Sequence, residues 1–237
     1  MRIGCLGLGR MGWQIAAHLA GHDDLRDLVV FDVVEGHGSR WVAEHGGRAA
    51  DSVAAAVADA EFVITSLPSD RELQVVADEL VPAISGGAIW VDHSTTSARI
   101  AREVGDRMSA VDAHFLDAPV SGGVDGARKG SLTVMAGGDE DAFSRAVPVM
   151  EMYAARVRRM GDTGAGQLTK MTNQICVVGL CQALAEGLDF ASRAGLDVED
   201  VVQAMRRALM LAQSSQSRFA LTAGVLAPDL AKMDDVT

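Results

Sequence analysis

The chain has only three cysteines in 237 residues, Cys5, Cys176 and Cys181. They are too few and too scattered for a disulfide framework or a zinc site, so no metal and a reduced, cytoplasmic setting are expected. Basic side chains are outnumbered, 21 against 32 acidic ones, giving a formal net charge of −11. Duplex binding needs clustered Lys and Arg to neutralise phosphates; no such run occurs, and no nucleic-acid partner is expected. Long apolar runs are missing as well. Gly, Asp or Arg interrupts each one before the ~18 residues of a spanning helix, so no membrane partner is expected. Met1-Arg2 leads through a few apolar residues into a Gly-rich turn, without the apolar core and cleavage site of a secretory signal.

What is present is a globular balance, 49% hydrophobic and 22% charged. The length suits one large domain, or one plus part of a second. Short apolar strands at 2–6, 28–32, 61–66, 88–92 and 114–118 alternate with helical segments at 10–20, 39–45, 52–59, 70–81 and 96–108. Asp70 is placed to cap its helix. Strands apolar on both faces, in a βαβα rhythm, predict an α/β fold with a Rossmann-type doubly wound parallel sheet. Strands at 131–136 and 156–159 flank a further helix at 140–152. The rhythm then stops. Leu168, Met171, Ile175, Val178, Leu184, Leu188 and Ala191 recur at helical spacing, predicting a long helix over 167–194 that ends near Gly195. Helices at 198–209 and 212–223 follow. The domain boundary is placed at 161/162, giving an α/β domain over 1–161 and an all-α domain over 162–237.

The run Gly7-Leu8-Gly9-Arg10-Met11-Gly12 follows the first strand and opens a helix. Gly7 permits the tight turn, Gly9 lets backbone approach a pyrophosphate at the helix N-terminus, and Gly12 lets that helix lie close to the sheet. Asp32 ends the second strand, twenty residues after Gly12, and could accept hydrogen bonds from the adenosine ribose hydroxyls. A carboxylate there favours NAD over NADP, while Arg40 leaves NADP open. Three loops lie at carboxyl ends of later strands, where open α/β sheets bind ligands. They are Leu67-Pro68-Ser69, Asp92-His93-Ser94-Thr95-Thr96, and Asp117-Ala118-Pro119-Val120-Ser121-Gly122-Gly123. Ser121 with the amides of Gly122 and Gly123 could form a nest for a carboxylate. Asp92, His93 and Ser94 are consecutive in an extended segment and cannot converge as a hydrolytic relay, so His93 is read as a polar loop residue. Lys170 and Asn173, three apart, share a helix face, with Gln167 and Gln174 beside them. Partial desolvation would lower the Lys170 pKa toward one suited to proton transfer.

Together, G-L-G-R-M-G at 7–12, L-P-S at 67–69, D-H-S-T-T at 92–96, D-A-P-V-S-G-G at 117–123 and G-x-G-x-x-x-K-x-x-N-Q at 164–174 resemble the β-hydroxyacid dehydrogenases. That family includes 3-hydroxyisobutyrate dehydrogenase and tartronate semialdehyde reductase, and the resemblance spans essentially the whole chain. It implies an NAD(P)-dependent oxidoreductase that interconverts a small 3-hydroxyacid and its semialdehyde by hydride transfer. Gly7, Leu8, Gly9, Arg10, Met11, Gly12 and Asp32 would hold the dinucleotide, Leu67 and Pro68 would line the nicotinamide side, and Thr95 would contact the cofactor. Ser121, Gly122 and Gly123 would hold the substrate carboxylate, and Asn173, with Gln174 beside it, would orient the substrate. Lys170 would be the general acid in reduction and the general base in oxidation. The K-M-T-N-Q wording is closer to the tartronate semialdehyde branch. Val124, Asp125 and Met210 would shape the pocket. The helical domain would bind substrate and assemble a homo-oligomer, a dimer or tetramer.

Family members run longer and carry a late Lys-Asp pair; here Lys232 is followed by Met233. A C-terminally incomplete helical domain is therefore expected. Two alternatives are kept: an imine reductase-like enzyme, whose relatives generally lack the catalytic Lys, and a dinucleotide-binding protein without turnover.

Overall fold

A computed structural model describes residues 1–23 and 25–214. By packing, the chain divides into two compact units, Met1–Gln174 and Ile175–Thr237. The first unit is built on one mixed sheet. Strands β1 (Arg2–Leu6), β2 (Asp27–Phe31), β3 (Arg48–Ala49), β4 (Phe62–Thr65), β5 (Ile89–Asp92) and β6 (His114–Asp117) run parallel in the order β3-β2-β1-β4-β5-β6. Beyond β6 lies β8 (Leu132–Gly137), antiparallel to β6 and to the short β7 (Val120–Ser121). The outer strand β9 (Ala154–Gly161) pairs with β8 in parallel and carries exposed Arg156 and Arg158. The expected parallel sheet is thus present, with an antiparallel turn-back at its far side.

Helices cover both faces. α1 (Gly12–Ala20), α2 (His37–His45), α6 (Gly123–Arg128) and α7 (Glu140–Met150) contribute to one core with Ile3, Cys5, Val30, Ile89 and Val91. α3 (Val53–Val57), α4 (Asp70–Leu80) and α5 (Ala98–Ser109) contribute to the other with Leu6, Val29, Val63, Trp90 and Phe115. Successive strand residues serve opposite faces, as a pleated strand requires. Each fully buried Ile or Leu contributes roughly 1.5–3 kcal/mol. The short β3, β7 and α6 were not expected from the sequence. Two-residue strands have no period to detect, and α6 is six residues long with two glycines.

Asp70 does not cap α4. Ser69 is the extended residue before it and accepts from the Arg71 amide at 3.2 Å. Asp70 instead accepts from the amide and hydroxyl of Ser97, at 2.8 and 2.5 Å, joining the starts of α4 and α5.

α8 (Ala165–Arg193) begins in the first unit and continues into the second. It ends, as expected, at Gly195, whose φ of +73° suits glycine; the Leu196 amide returns to the Ala191 carbonyl at 3.0 Å. Asp197 then caps α9 (Val198–Ser214), accepting from the amides of Glu199 and Asp200. α9 runs through the break expected after residue 209. The rest of the helix expected over 212–223, the Met210 side chain, and Lys232 and Met233 lie outside the described residues.

The expectation that no segment is long and apolar enough to span a bilayer is corrected at α8; that of no membrane partner is not touched by it. By length and composition α8 could cross a bilayer: an 18-residue window has mean hydropathy 1.4, and little of it is buried. No uninterrupted apolar run exists, but residues 171–185 carry no formal charge, and Gly, Thr and Gln lower the mean only slightly.

The head of α8 is wedged against the sheet. A Cβ on Gly166 would fall inside contact distance of the Asp117 and Met135 carbonyl oxygens, both backbone atoms. Gly166→Ala is therefore expected to cost about 1–3 kcal/mol, read as a lower urea midpoint for unfolding.

Candidate functional site

The glycine-rich turn has the shape a dinucleotide requires. Gly7 has φ +87°, and a side chain there would strike the Ser66 carbonyl; one on Gly12 would strike the Gly7 carbonyl. Gly9 differs, because a Cβ there would meet only open space. Its openness serves an approaching ligand rather than the fold. Among the described residues, the amides of Gly9, Arg10 and Met11 have no protein partner and lie at the start of α1, the arrangement that binds a pyrophosphate. Exposed Arg10 and half-buried Met11 flank the opening.

Asp32 holds this turn to the end of β2. Its Oδ2 accepts from the Leu8 amide at 2.6 Å and its Oδ1 from the Val34 amide at 2.8 Å, with His37 Nδ1 3.5 Å away. A cavity of about 530 Å³ opens there, lined by Asp32, Glu35, Gly36, Ser39 and Asp51 among others. Three carboxylates in one cavity disfavour an added phosphate. Arg40 lies with its guanidinium carbon 4.9 Å from the centre of the Trp13 ring, a cation–π contact.

At the ends of β4 and β5 a buried web replaces the expected polar loop. Trp90 donates to Thr65 Oγ1 at 2.9 Å, and Thr65 donates to Asp92 Oδ1 at 2.6 Å. The Ser94 amide and hydroxyl donate to the same oxygen at 3.2 and 2.5 Å. Ser94 Oγ in turn accepts from the Leu67 amide at 2.8 Å, tying the Leu67-Pro68 loop to Thr95, which is exposed. His93 is not a surface loop residue. It is buried, with Nδ1 2.6 Å from the Ala118 carbonyl and Nε2 2.8 Å from the Tyr153 hydroxyl. Asp92 and His93 bond to different partners and form no relay.

Asp117 ends β6 and caps α8. Its carboxylate accepts from the Gly164 amide at 2.7 Å and the Gln167 amide at 2.8 Å. A carboxylate at a helix N-terminus also complements the dipole. Burial raises its pKa, and the backbone amides oppose that rise. Lys170 follows one turn later. It is half-buried, and loss of hydration pushes its pKa below the usual lysine value. Asn173, a turn further and also half-buried, holds a buried Oδ1 with no hydrogen-bond partner. Gln174 is exposed.

The structure thus joins the Gly7 turn, Asp32, Leu67, the Thr95 loop and the head of the Lys170 helix through contacts and hydrogen bonds. Among the described residues, no hydrogen bond or ion pair joins Ser121, Gly122 or Gly123 to Lys170 or Asn173. Gly122 and Gly123 have φ of +124° and +62°, a conformation that glycine alone adopts readily. They lead into α6, which packs on α1, where His18 Nε2 lies 2.9 Å from the Ala127 carbonyl. The sequence reading missed the roles of Asp117 and Gln167. Their signals were a carboxylate at a strand end and an amide one turn before the helix lysine.

The fold and this turn define a dinucleotide-binding oxidoreductase. Residues 2–161 match the family model for the NAD binding domain of 6-phosphogluconate dehydrogenase. Residues 164–228 match that for the NAD-binding region of NADP-dependent 3-hydroxyisobutyrate dehydrogenase. An uncharacterised oxidoreductase of Shewanella frigidimarina is 41% identical over 92% of this chain and 75% of its own. The 3-hydroxyisobutyrate dehydrogenase of Pseudomonas aeruginosa is 36% identical over 92% of this chain and 72% of its own. A solved 3-hydroxyisobutyrate dehydrogenase from Mycobacterium tuberculosis, with L-serine, superposes with TM-score 0.79 at 35% identity, covering 86% of this chain and 69% of that one. Imine reductases such as that of Streptomyces aurantiacus share the fold at 19% identity, with TM-score 0.83, covering 97% of this chain and 81% of that one. The chain belongs to the β-hydroxyacid dehydrogenase family and binds NAD(P).

Asp92 and His93 titrate against each other. Burial pushes the Asp92 pKa up to about 6, with bonds from Ser94 and Thr65 opposing and nearby Asp117 adding to the rise. Burial pushes His93 down to about 4. Between about pH 4 and 6 both are neutral when folded and charged when unfolded. The Asp92 contribution to stability is present below about pH 4 and is lost as pH rises through about 6. The His93 contribution is present above about pH 6.5 and is lost as pH falls through about 4. Each slope is about 1.4 kcal/mol per pH unit, and the two oppose each other. Urea midpoints measured from pH 4 to 6 are expected to rise with pH more steeply in Asp92→Asn than in the wild type, and to fall relative to wild type in His93→Gln.

Proposed function

We propose that the chain catalyses NAD-dependent oxidation of a small 3-hydroxyacid to its semialdehyde, and the reverse reduction, with Lys170 as general acid/base. The carrying observation is the half-buried Lys170, its pKa lowered by lost hydration, on a helix whose first turn is bonded to the Thr95 loop. When bound, the nicotinamide supplies the hydride acceptor or donor. Gly7, Leu8, Gly9, Arg10, Met11 and Gly12 hold the pyrophosphate side, Asp32 the ribose, and Leu67, Pro68 and Thr95 the nicotinamide end. Lys170 takes the hydroxyl proton on oxidation and returns it on reduction. Asn173, one turn after Lys170 on the same helix face, orients the substrate, and Gln174 stands beside it. Ser121 with the amides of Gly122 and Gly123 takes the substrate carboxylate.

The same reading assigns residues 1–161 to the dinucleotide and residues 162–237 to substrate binding and homo-oligomer assembly in the cytoplasm. The exposed Ile175, Val178 and Phe190 of α8 support assembly through that region. NAD is favoured over NADP because Asp32, Glu35 and Asp51 line the cavity at the end of β2. An imine reductase is disfavoured by Lys170 itself.

The test follows NADH and NADPH formation with 3-hydroxyisobutyrate, glycerate, 3-hydroxypropionate and 4-hydroxybutyrate. Turnover is expected with one acid, faster with NAD. Lys170→Ala is expected to lower kcat by about 10²–10⁴-fold while the melting-temperature rise with NAD persists. Because the Lys170 pKa is lowered and the base must be neutral, oxidation should rise with pH along a limb below the usual lysine value. A melting-temperature rise with NAD but no turnover of any acid would favour the binding protein instead.

A further inference from the structure

Gln167 lies one helical turn before Lys170, and its side chain is fully buried. A buried amide is costly unless both ends are bonded. Here both ends are used, on the backbone of a single loop. Nε2 donates to the Ser94 carbonyl at 2.8 Å, and Oε1 accepts from the Thr96 amide at 3.1 Å. The two bonds bracket Thr95. The backbone amide of Gln167 donates to Asp117 at 2.8 Å, and Ser94 Oγ reaches the Leu67 amide at 2.8 Å. One side chain thereby links the head of α8 to the loops at the ends of β4 and β5. An apolar residue could fill the space but could not set this register. The donor and acceptor ends are not interchangeable, so one orientation of the amide satisfies both.

We infer that Gln167 is a positioning residue that sets the distance between Lys170 and the Thr95 loop. The inference rests on the dehydrogenase reading of Lys170. Gln167 touches neither substrate nor cofactor and acts through the groups on either side of it. Oxidation removes a hydride and a proton from the two ends of one carbon–oxygen bond. The group taking the proton and the loop holding the hydride acceptor must therefore keep a fixed separation. An error near 1 Å at such a site costs on the order of 100-fold in rate.

The experiment uses the full chain with Gln167→Leu and Gln167→Glu, beside wild type and Lys170→Ala. In Gln167→Leu, kcat is expected to fall on the order of 100-fold. KM for the acid should change much less, and NAD should still raise the melting temperature. In Gln167→Glu, a protonated carboxyl offers the same donor and acceptor, whereas a carboxylate has no proton for the Ser94 carbonyl. Semialdehyde reduction by this variant should therefore recover toward wild type as pH falls, and Gln167→Leu should not. Hydrogen exchange of amides 94–96 in the NAD complex is a readout free of turnover, and is expected to be more than tenfold faster in Gln167→Leu.

Wild-type kcat and exchange in Gln167→Leu would overturn the inference. So would equal losses in the two variants at every pH, in step with their melting temperatures. Should Gln167→Leu fail to fold, the pH recovery of Gln167→Glu carries the test alone. Full turnover by Lys170→Ala would instead remove the general acid/base reading of Lys170, and the exchange result would still decide whether Gln167 holds the loop.

Discussion

The Asp117 carboxylate is the constraint on which the candidate site depends. It ends the last of the parallel strands and accepts the amides of Gly164 and Gln167, so it fixes where a 29-residue helix begins. The first-turn N–H groups of a helix need partners from elsewhere, and here a strand supplies them. Gly166 lets the helix approach close enough for the bonds to form. Lys170 and Asn173 inherit their positions from this junction. Burial resists the charge on Asp117, and the amides converging on it favour that charge, so carboxylate and helix head stabilise each other.

Much of this was legible in the sequence because it rests on local rules. Short apolar runs disclosed the strands, and the 3.6 periodicity disclosed the long helix. The glycines at 7, 9 and 12 disclosed the turn, and Asp32, which holds that turn to the end of β2, stood out as the acid following the second strand. Gly195 marked the end of α8. What escaped was long-range. Asp70 looked like the cap of its own helix, but it bonds Ser97 instead, because Ser69 already occupied the capping position. His93 looked like a loop residue because its partners, the Ala118 carbonyl and the Tyr153 hydroxyl, lie 25 and 60 residues away. Gln167 bonds a loop more than seventy residues earlier, which no spacing rule encodes.

The hydrogen-bonded loops also divide the labour of the site. Gly9 offers open space beside unpartnered amides, and among the described residues no hydrogen bond ties Gly9 to the head of α8. The Leu67 and Thr95 loops and the head of α8 are bonded to one another through Ser94 and Gln167.

The two ends of the sheet differ in how they close it. β3 is only two residues long, and β9 is a full strand whose outer positions include Arg156 and Arg158. A short edge offers little backbone for another strand to join, and a cationic edge repels its own copy. Brevity on one side and guanidinium charge on the other therefore both disfavour edge-to-edge pairing of one sheet with another.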